Sequence, residues 1–452
     1  MDHAPTISEW IDQRPLSRFQ KWTMALCGMV IVLDGFDAQS IGFLAPSMAE
    51  SLHIPLKTFG PVFGAALFGL MISAMMAGLF ADRWGRKWTI VVSTIVFGIF
   101  AALTARAATR EQLILIRFLT GLGLGGTMSN VASLLTEYTP KRLRSIFVTI
   151  LFCGMPFGAI LAGIVGSLML PKWGWQSVFY AGGIFPLVLS LALIVMLPES
   201  VRFLEVCGAD QKKISRIMAR ISPDLGNPEL YKSYSREDRR KPMPVKFLFT
   251  EGRAPGTILL WIPFFMNLLI LYFVVNWLPS LLRQSDLPAS AGITAIILFS
   301  AGGVAGSFVQ GYMMDCWGAL PVMLAEFVAS TVLIVGLAFS PSFALTMAIT
   351  LVLGFVVQGA QGALIAVSAS FYPTAIRSTG VGWAFGVGRI GSIVGPVLGG
   401  LLLTMRWGPR EIILAGSIPA LCAVAATLVG MWRQNNSIPG QKENQTVEEL
   451  PV

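Results

Sequence analysis

Twelve predominantly apolar stretches, each of 18 residues or more, follow one another along this 452-residue chain. They lie at 22–46, 59–81, 88–106, 112–135, 146–170, 177–197, 256–282, 290–314, 321–340, 343–370, 379–404 and 411–432. Each is long enough to cross ~30 Å of hydrocarbon as a helix. The chain therefore reads as an all-α membrane protein with twelve transmembrane helices, and the lipid bilayer is its first partner. Composition agrees, with 54% apolar and 13% charged residues, where a soluble domain carries about 25% charged residues.

Charge sets the orientation. Residues 1–21 are polar, carry Arg14, Arg18 and Lys21 just before the first stretch, and lack the short apolar core and cleavage site of a signal peptide. With that end inside, 24 of the 33 Lys and Arg residues fall on the cytoplasmic side, 7 outside, and Arg117 and Arg389 within spans. The positive-inside rule then places both termini in the cytoplasm and explains the net charge of +9 better than nucleic-acid binding does. The expected division is a cytoplasmic segment at 1–21, a six-helix bundle at 22–197, a cytoplasmic linker at 198–255, a second six-helix bundle at 256–432 and a cytoplasmic tail at 433–452. The linker is charged and contains Pro223, Pro228, Pro242 and Pro244; within it, 212–221 reads either as a basic amphipathic surface helix or as solvated connector.

Two acids interrupt the first stretch, whose middle reads Leu33-Asp34-Gly35-Phe36-Asp37. An acidic side chain near the centre of a bilayer costs about 2.5–3.5 kcal/mol on insertion scales, so it normally faces a bundle interior or watery cavity and serves a substrate or proton path. At i and i+3 the two share one face of a helix. The only histidines, His3 and His53, lie outside the spans, so carboxylates must do any proton work. The five cysteines, Cys27, Cys153, Cys207, Cys316 and Cys422, are scattered without paired spacing and read as apolar fillers. No metal or other cofactor is expected.

The halves repeat. Gly78-Leu79-Phe80-Ala81-Asp82-Arg83-Trp84-Gly85-Arg86-Lys87 follows the second span, and Gly311-Tyr312-Met313-Met314-Asp315-Cys316-Trp317-Gly318 follows the eighth. Thr136-Glu137-Tyr138-Thr139-Pro140-Lys141-Arg142-Leu143-Arg144 closes the fourth, and Phe371-Tyr372-Pro373-Thr374-Ala375-Ile376-Arg377 closes the tenth. Matching loops at matching positions indicate a duplicated six-span unit.

The 78–87 loop resembles the signature between helices 2 and 3 of the major facilitator superfamily. Arg117 with Gly121, Gly123 and Gly125 resembles that superfamily's fourth-helix motif, and Pro198-Glu199-Ser200-Val201-Arg202 the motif closing its sixth helix. Within the superfamily, Asp34-Gly35-Phe36-Asp37, Asn276-Trp277-Leu278-Pro279 and the run 372–400 are similar to the aromatic acid/proton symporters of the 4-hydroxybenzoate and benzoate type. The resemblance implies two pseudo-symmetric six-helix bundles and a monomeric secondary transporter of the bacterial inner membrane. Such a protein imports an aromatic carboxylate with protons and is not an enzyme.

Roles follow. Asp34, Asp37 and Arg117 are assigned to proton coupling, although Arg117 lies near the outer end of its span and also reads as a residue snorkelling to the interface. Arg389 lies mid-span, where a guanidinium needs a planar partner such as a carboxylate. It is the expected substrate anchor, with Asp37, Phe36, Asn276, Trp277, Trp383 and Gln361 around it. The resemblance implies gating by Gly78, Asp82, Arg83, Gly85, Arg86 and Lys87, with Asp82 capping a helix N-terminus of the opposite half. Glu137, Arg144, Asp315 and Arg377 join the latch, and Glu326 is read as a partner of Arg377. The glycines at 121, 123, 125 and 126 suit close helix packing, not a nucleotide loop, since no strand precedes them. Competing readings are a transporter of another organic acid such as a muconate-like diacid, a sugar transporter, and a proton-driven drug antiporter. Against the last, Gly395-Pro396-Val397-Leu398-Gly399-Gly400 falls in the eleventh span and not the fifth.

Overall fold

A computed structural model of the protein describes residues 11–12, 14–207, 211–221, 245–250, 252–284, 287–288, 290–373 and 376–436. Apart from short 3-10 turns, every regular element among them is an α-helix. Helices let an apolar segment satisfy its own backbone hydrogen bonds where no water can. They are α1 (Arg18–Leu52), α2 (Gly60–Trp84), α3 (Arg86–Thr104), α4 (Arg110–Gly125), α5 (Met128–Tyr138), α6 (Arg144–Met196), α7 (Val201–Val206) and α8 (Gln211–Ile221). Then come α9 (Ala254–Arg283), α10 (Ala291–Trp317), α11 (Ala319–Ala338), α12 (Phe343–Phe371), α13 (Arg377–Thr404), α14 (Pro409–Ala415) and α15 (Ser417–Asn436). Among the described residues, eleven helical spans are long and apolar enough to cross a membrane. The protein is an all-α, multi-pass membrane protein.

One of the eleven does double duty. The 53 residues of α6 would run about 80 Å as one straight helix, far beyond ~30 Å of hydrocarbon. Gly174 breaks it at φ 72°, ψ 176°, a conformation open to glycine and strained for other residues. The two legs meet the same side chain. A β-carbon added at Gly158 would fall 2.7 Å from the backbone nitrogen of Phe36, and one at Gly182 would fall 3.1 Å from its ring. Residues 24 apart in sequence thus flank one phenylalanine, so the chain has turned back at Gly174. The expected stretches 146–170 and 177–197 lie on the two legs.

Glycine sets how closely these helices approach. A β-carbon at Gly158 would lie 1.9 Å from the Val32 carbonyl oxygen, and one at Gly35 2.1 Å from that of Met155, so α1 and the first leg of α6 touch backbone to backbone. Gly69 and Gly121 do the same between α2 and α4, at 2.2 and 1.9 Å from Phe118 and Ala66 oxygens. The later helices repeat the device. Gly302 and Gly306 of α10 meet α12 at 2.0 and 2.2 Å from Leu351 and Phe355 oxygens, and Gly391 of α13 meets the Phe265 oxygen of α9 at 2.1 Å. The second and fourth spans therefore pack as the eighth and tenth do, which carries the loop repeat into three dimensions.

The basic segment at 212–221 is helical, within α8. Its Ile214 and Met218 are buried among Leu16, Phe19 and Leu204, so it packs on the helices preceding residue 197. Arg220 covers the Phe19 ring at 5.9 Å. Most of the remaining linker, with Pro223, Pro228, Pro242 and Pro244, lies outside the described residues, as do residues 1–10 and the tail beyond 436. All five cysteines are free.

Gly158→Leu should force α1 and α6 apart and cost about 1–3 kcal/mol, read as a lower melting temperature in detergent. Gly28 has nothing within 4 Å of its would-be β-carbon, so Gly28→Ala should leave stability unchanged or raise it by up to about 1 kcal/mol.

Candidate functional site

Both aspartates of α1 are buried, but their surroundings differ. Asp37 is paired with Arg117 of α4: one guanidinium nitrogen donates to both carboxylate oxygens at 3.0 and 3.1 Å, and each side chain is 1% exposed. The guanidinium also lies 5.9 Å from the Phe179 ring centroid. Arg117 therefore does not snorkel to the interface. It ends in a sealed ion pair, which is how two opposite charges are tolerated in a low dielectric.

Asp34 sits one turn away without a direct cation. Its Oδ2 accepts from the Thr127 hydroxyl at 3.3 Å, and its Oδ1 has no partner. Thr127 occupies the two-residue break between α4 and α5, where its own hydroxyl also reaches the Leu124 carbonyl at 2.6 Å. That break turns a polar side chain toward α1.

Arg389 reaches Asp34's surroundings from the other end of the sequence. Its guanidinium donates to the Tyr272 hydroxyl at 3.3 Å and lies 3.9 Å from the Met128 sulfur, the residue after Thr127. A cation on α13 thus bridges to α5, two helices far apart in the chain. Among the described residues no carboxylate is hydrogen-bonded to it, and its donors meet a phenol oxygen and a thioether sulfur.

The remaining expected substrate residues divide. Phe36 is core, wedged against the second leg of α6. Asn276 donates within its own helix to the Tyr272 carbonyl at 2.8 Å. Trp277 is fully buried, donates to the Pro396 carbonyl at 2.8 Å and meets Phe63 edge-on at 5.3 Å, so it braces helices. Trp383 is 44% exposed and stacks on Trp261 at 6.3 Å, about 9 Å of helix rise from Arg389. Gln361 accepts from Asn267 at 3.1 Å. Tyr272 is an aromatic residue that the sequence already places near these charges, whereas Thr127 and Met128 join the constellation without a sequence signal of their own.

Near the 78–87 loop, a helix of the same half is capped by an acid other than Asp82. Asp82 is 68% exposed and only 4.0 Å from Arg86 of its own loop. The α3 N-terminus is instead held by Glu199, whose Oε1 accepts from the backbone N–H groups of Arg86 at 2.8 Å, Lys87 at 3.1 Å and Ser200 at 2.8 Å. A carboxylate suits the positive end of a helix. Gly85 stands at φ 89° with the Glu199 carboxylate where a β-carbon would be; Gly318, its counterpart in the second loop, stands at φ 84°. Gly78 has open space around it, and Arg83 and Asp315 are exposed. Glu137 accepts from Ser200, and the Tyr138 hydroxyl donates to the Glu199 carbonyl at 2.7 Å. Arg144 and Arg377 make the same bond in the two halves, each Nε donating to the carbonyl five residues back, of Thr139 at 3.2 Å and Tyr372 at 3.3 Å. Glu326 is paired with Gln310, at 2.9 and 3.0 Å, and not with Arg377.

Contacts between helices before 197 and after 254 gather at one end. There Gly42 abuts the Val275 carbonyl, Gly60 and Gly64 abut 396–397, and Arg283 pairs with Glu50 at 3.0 Å. At the opposite end Met75, Leu79, Asp82, Tyr312 and Asp315 are exposed. The two halves are thus joined at the end where Arg283 meets Glu50.

The Major Facilitator Superfamily profile matches residues 27–310 and 288–449. A protein of Pseudomonas putida named 4-hydroxybenzoate transporter PcaK is 38% identical over 427 residues, covering 94% of this chain and 95% of its own. The chain belongs to this superfamily, in its aromatic-acid transporter family. A gallate transporter of Pseudomonas putida is 36% identical, with 95% of each chain covered. The fold agrees with the inward-open xylose transporter XylE from E. coli, at a TM-score of 0.74 and 16% identity over 92% of this chain and 96% of that one.

Two outcomes test this geometry in the transporter. Arg117→Leu strands Asp37 in the interior and should cost about 3–5 kcal/mol, most of it recovered in Asp37→Leu/Arg117→Leu, read by thermal unfolding in detergent. Glu199, outside the spans, has its carboxyl raised above the ordinary 4.5 by burial, against the lowering effect of its backbone N–H bonds and Arg86. The folded protein holds this proton more tightly than the unfolded chain. Its contribution is therefore most favourable below pH 4.5 and falls as pH rises through the raised value. Glu199→Gln should flatten the slope of melting temperature against pH in that window.

Proposed function

We propose that the protein is a secondary transporter that imports an aromatic carboxylate together with protons across a bacterial inner membrane. The observation that carries this reading is Arg389: a mid-helix cation bridging to α5 near Asp34, with only a phenol and a thioether as acceptors among the described residues. A planar carboxylate is the partner such a guanidinium lacks. Relatives named for 4-hydroxybenzoate and gallate supply the aromatic class.

The topology that goes with this reading has twelve spans, the two legs of α6 counting separately. They form bundles at 22–197 and 256–432 joined by the linker at 198–255, with residues 1–21, the 433–452 tail and the 78–87 loop cytoplasmic. The end shut by Glu50 and Arg283 then faces outward, and the constellation is open to the cytoplasm. Alternating access rocks one bundle against the other about a midplane site.

Charge couples the two cargoes. In the empty site Asp34 serves as the nearby counter-charge of Arg389, and Asp37 that of Arg117. Protonation of Asp37 from the outside cancels its charge, and a substrate carboxylate on Arg389 cancels another. Desolvation in a closing cavity disfavours an ionised aspartate, so the loaded site closes more readily than the half-loaded one. An inside-negative potential opposes anion entry by about 2.3 kcal/mol per 100 mV per charge, and one co-transported proton removes that term. Asp82, Arg83, Arg86, Lys87, Glu137, Arg144, Asp315 and Arg377 serve the cytoplasmic latch.

Proteoliposomes holding a pH dye test the reading. Adding 4-hydroxybenzoate, benzoate or gallate without another ion gradient should acidify the lumen for at least one acid, and Asp37→Asn and Arg389→Ala should abolish the signal. Substrate binding without acidification would end the symport claim, and no dependence on Arg389 would end its role as the anion anchor.

A further inference from the structure

Beside the charged constellation lies a pair of amides that the transport cycle above does not use. Asn267 of α9 is 1% exposed and donates through Nδ2 to the Gln361 Oε1 of α12 at 3.1 Å. The other end of each amide is left over. Asn267 Oδ1 and Gln361 Nε2 are both buried, and neither has a hydrogen-bond partner among the described residues. A buried polar group left unpaired is costly, and such groups are few in folded proteins. Two of them on touching side chains, one an acceptor and one a donor, form a matched pair.

Asn267 and the anion anchor are carried by two helices in contact, α9 and α13. Residues 264–268 of α9 face 388–391 of α13, since a β-carbon at Gly388 would meet the Phe264 carbonyl at 3.1 Å and one at Gly391 the Phe265 carbonyl at 2.1 Å. Tyr272, whose hydroxyl receives the Arg389 guanidinium, is five residues from Asn267 on the same helix, about 7.5 Å of rise. An aromatic ring carrying groups at opposite ends spans a separation of that order.

We propose that Asn267 and Gln361 form a hydroxyl-reading subsite, which selects aromatic acids bearing a phenolic hydroxyl on the ring edge far from the carboxylate. This rests on the reading of Arg389 as the carboxylate anchor. A phenol hydroxyl donates one hydrogen and accepts another, so it satisfies Asn267 Oδ1 and Gln361 Nε2 together. A second carboxylate offers acceptors alone and would face Oδ1 with its own lone pairs. An unsubstituted ring satisfies neither group. Turning both amides end for end exchanges the roles and still leaves one donor and one acceptor, so the chemistry does not depend on their orientation. A site built to hydrogen-bond a hydroxyl rejects the analogue lacking it more strongly than an apolar pocket rejects an added group, because its own buried groups are then unpaired.

Equilibrium binding to the purified full-length protein tests this with three ligands: 4-hydroxybenzoate, benzoate and 4-methoxybenzoate. Wild type should prefer 4-hydroxybenzoate to benzoate by about tenfold or more, and the methoxy acid, which has lost the donated hydrogen, should fall toward benzoate. Gln361→Met and Asn267→Leu should each bring the preference to within about threefold while leaving benzoate affinity unchanged. Gln361→Glu, which keeps an acceptor and removes the donor, serves where the buried Asn267→Leu fails to fold and should show the same narrowing. An intact preference in the variants that fold, or an equal loss of all three ligands, would overturn the subsite. Arg389→Gln separates the two ideas. If it abolishes binding of every acid while the amide variants keep the hydroxyl preference, the anchor stands and the subsite falls. If wild type binds none of the acids, both fall.

Discussion

Everything near the centre of this protein is arranged around one ion pair that hydrocarbon makes necessary. Asp37 and Arg117 are each 1% exposed, and an isolated charge in such a place carries an effective penalty of several kcal/mol. The two must therefore meet, and their meeting fixes α1 against α4. Gly35, between the aspartates, lets α6 lie against α1, and Gly69 and Gly121 let α2 lie against α4. With one acid so committed, the other is left for a different partner. Among the described residues Asp34 has a hydroxyl on one oxygen and nothing on the other, and Arg389 of α13 reaches Met128, the residue after the one that supplies that hydroxyl.

The two kinds of helix contact differ in hardness. Within each half, backbone carbonyls occupy the space where a β-carbon would stand, at pairs such as Gly158 with Val32 and Gly354 with Phe299. Such contacts tolerate little sliding, since interiors are packed to crystal density. Between the halves, at the shut end, the polar closure is Arg283 on Glu50, with exposures of 37% and 69%. An exposed pair of that kind is worth about 0–1 kcal/mol. Gly42, Gly60 and Gly64 add close contacts there, but the opposite end adds none among the residues just named. Besides one backbone-to-backbone contact, Gly42 on Val275, the halves are thus joined at that end by an exposed ion pair and by Gly60 and Gly64.

How much of this was legible in the sequence depended on whether a residue's meaning was carried by its chemistry or by its neighbours. The spans were legible because hydrocarbon thickness dictates their length, and the turn between the fifth and sixth stretches was legible although the helix reads as continuous through Gly174. Asp34, Asp37 and Arg389 announced themselves as charges where charge is expensive. Their pairing did not, because which aspartate meets Arg117 depends on helix rotation, and α1 at i and i+3 offers both on one face. Asn276, Trp277 and Trp383 looked like ligand groups on type alone, but Trp277 is spent on Pro396 and Trp383 on Trp261. Asn267 gave no signal, since one more amide in an apolar run is indistinguishable from Asn276 until the carbonyl that satisfies the latter is seen. The pairing of Glu326 with Gln310 escaped for a related reason: charge suggested Arg377, and proximity chose an amide.

The 78–87 loop shows why residues could be named from the sequence but not placed. The 78–87 motif contains one acid, Asp82, and resemblance gives it a helix N-terminus to cap. In this conformation a helix N-terminus close by is already capped, by Glu199, which takes three backbone N–H groups and sits where Gly85 leaves room. Glu199 belongs to the same half as α3, so that cap is indifferent to whether the two halves are together or apart. Asp82, by contrast, is solvated and bound only loosely to Arg86. Two acids that look alike in sequence are therefore used differently here: Glu199 holds the α3 N-terminus, and Asp82 stays in solvent.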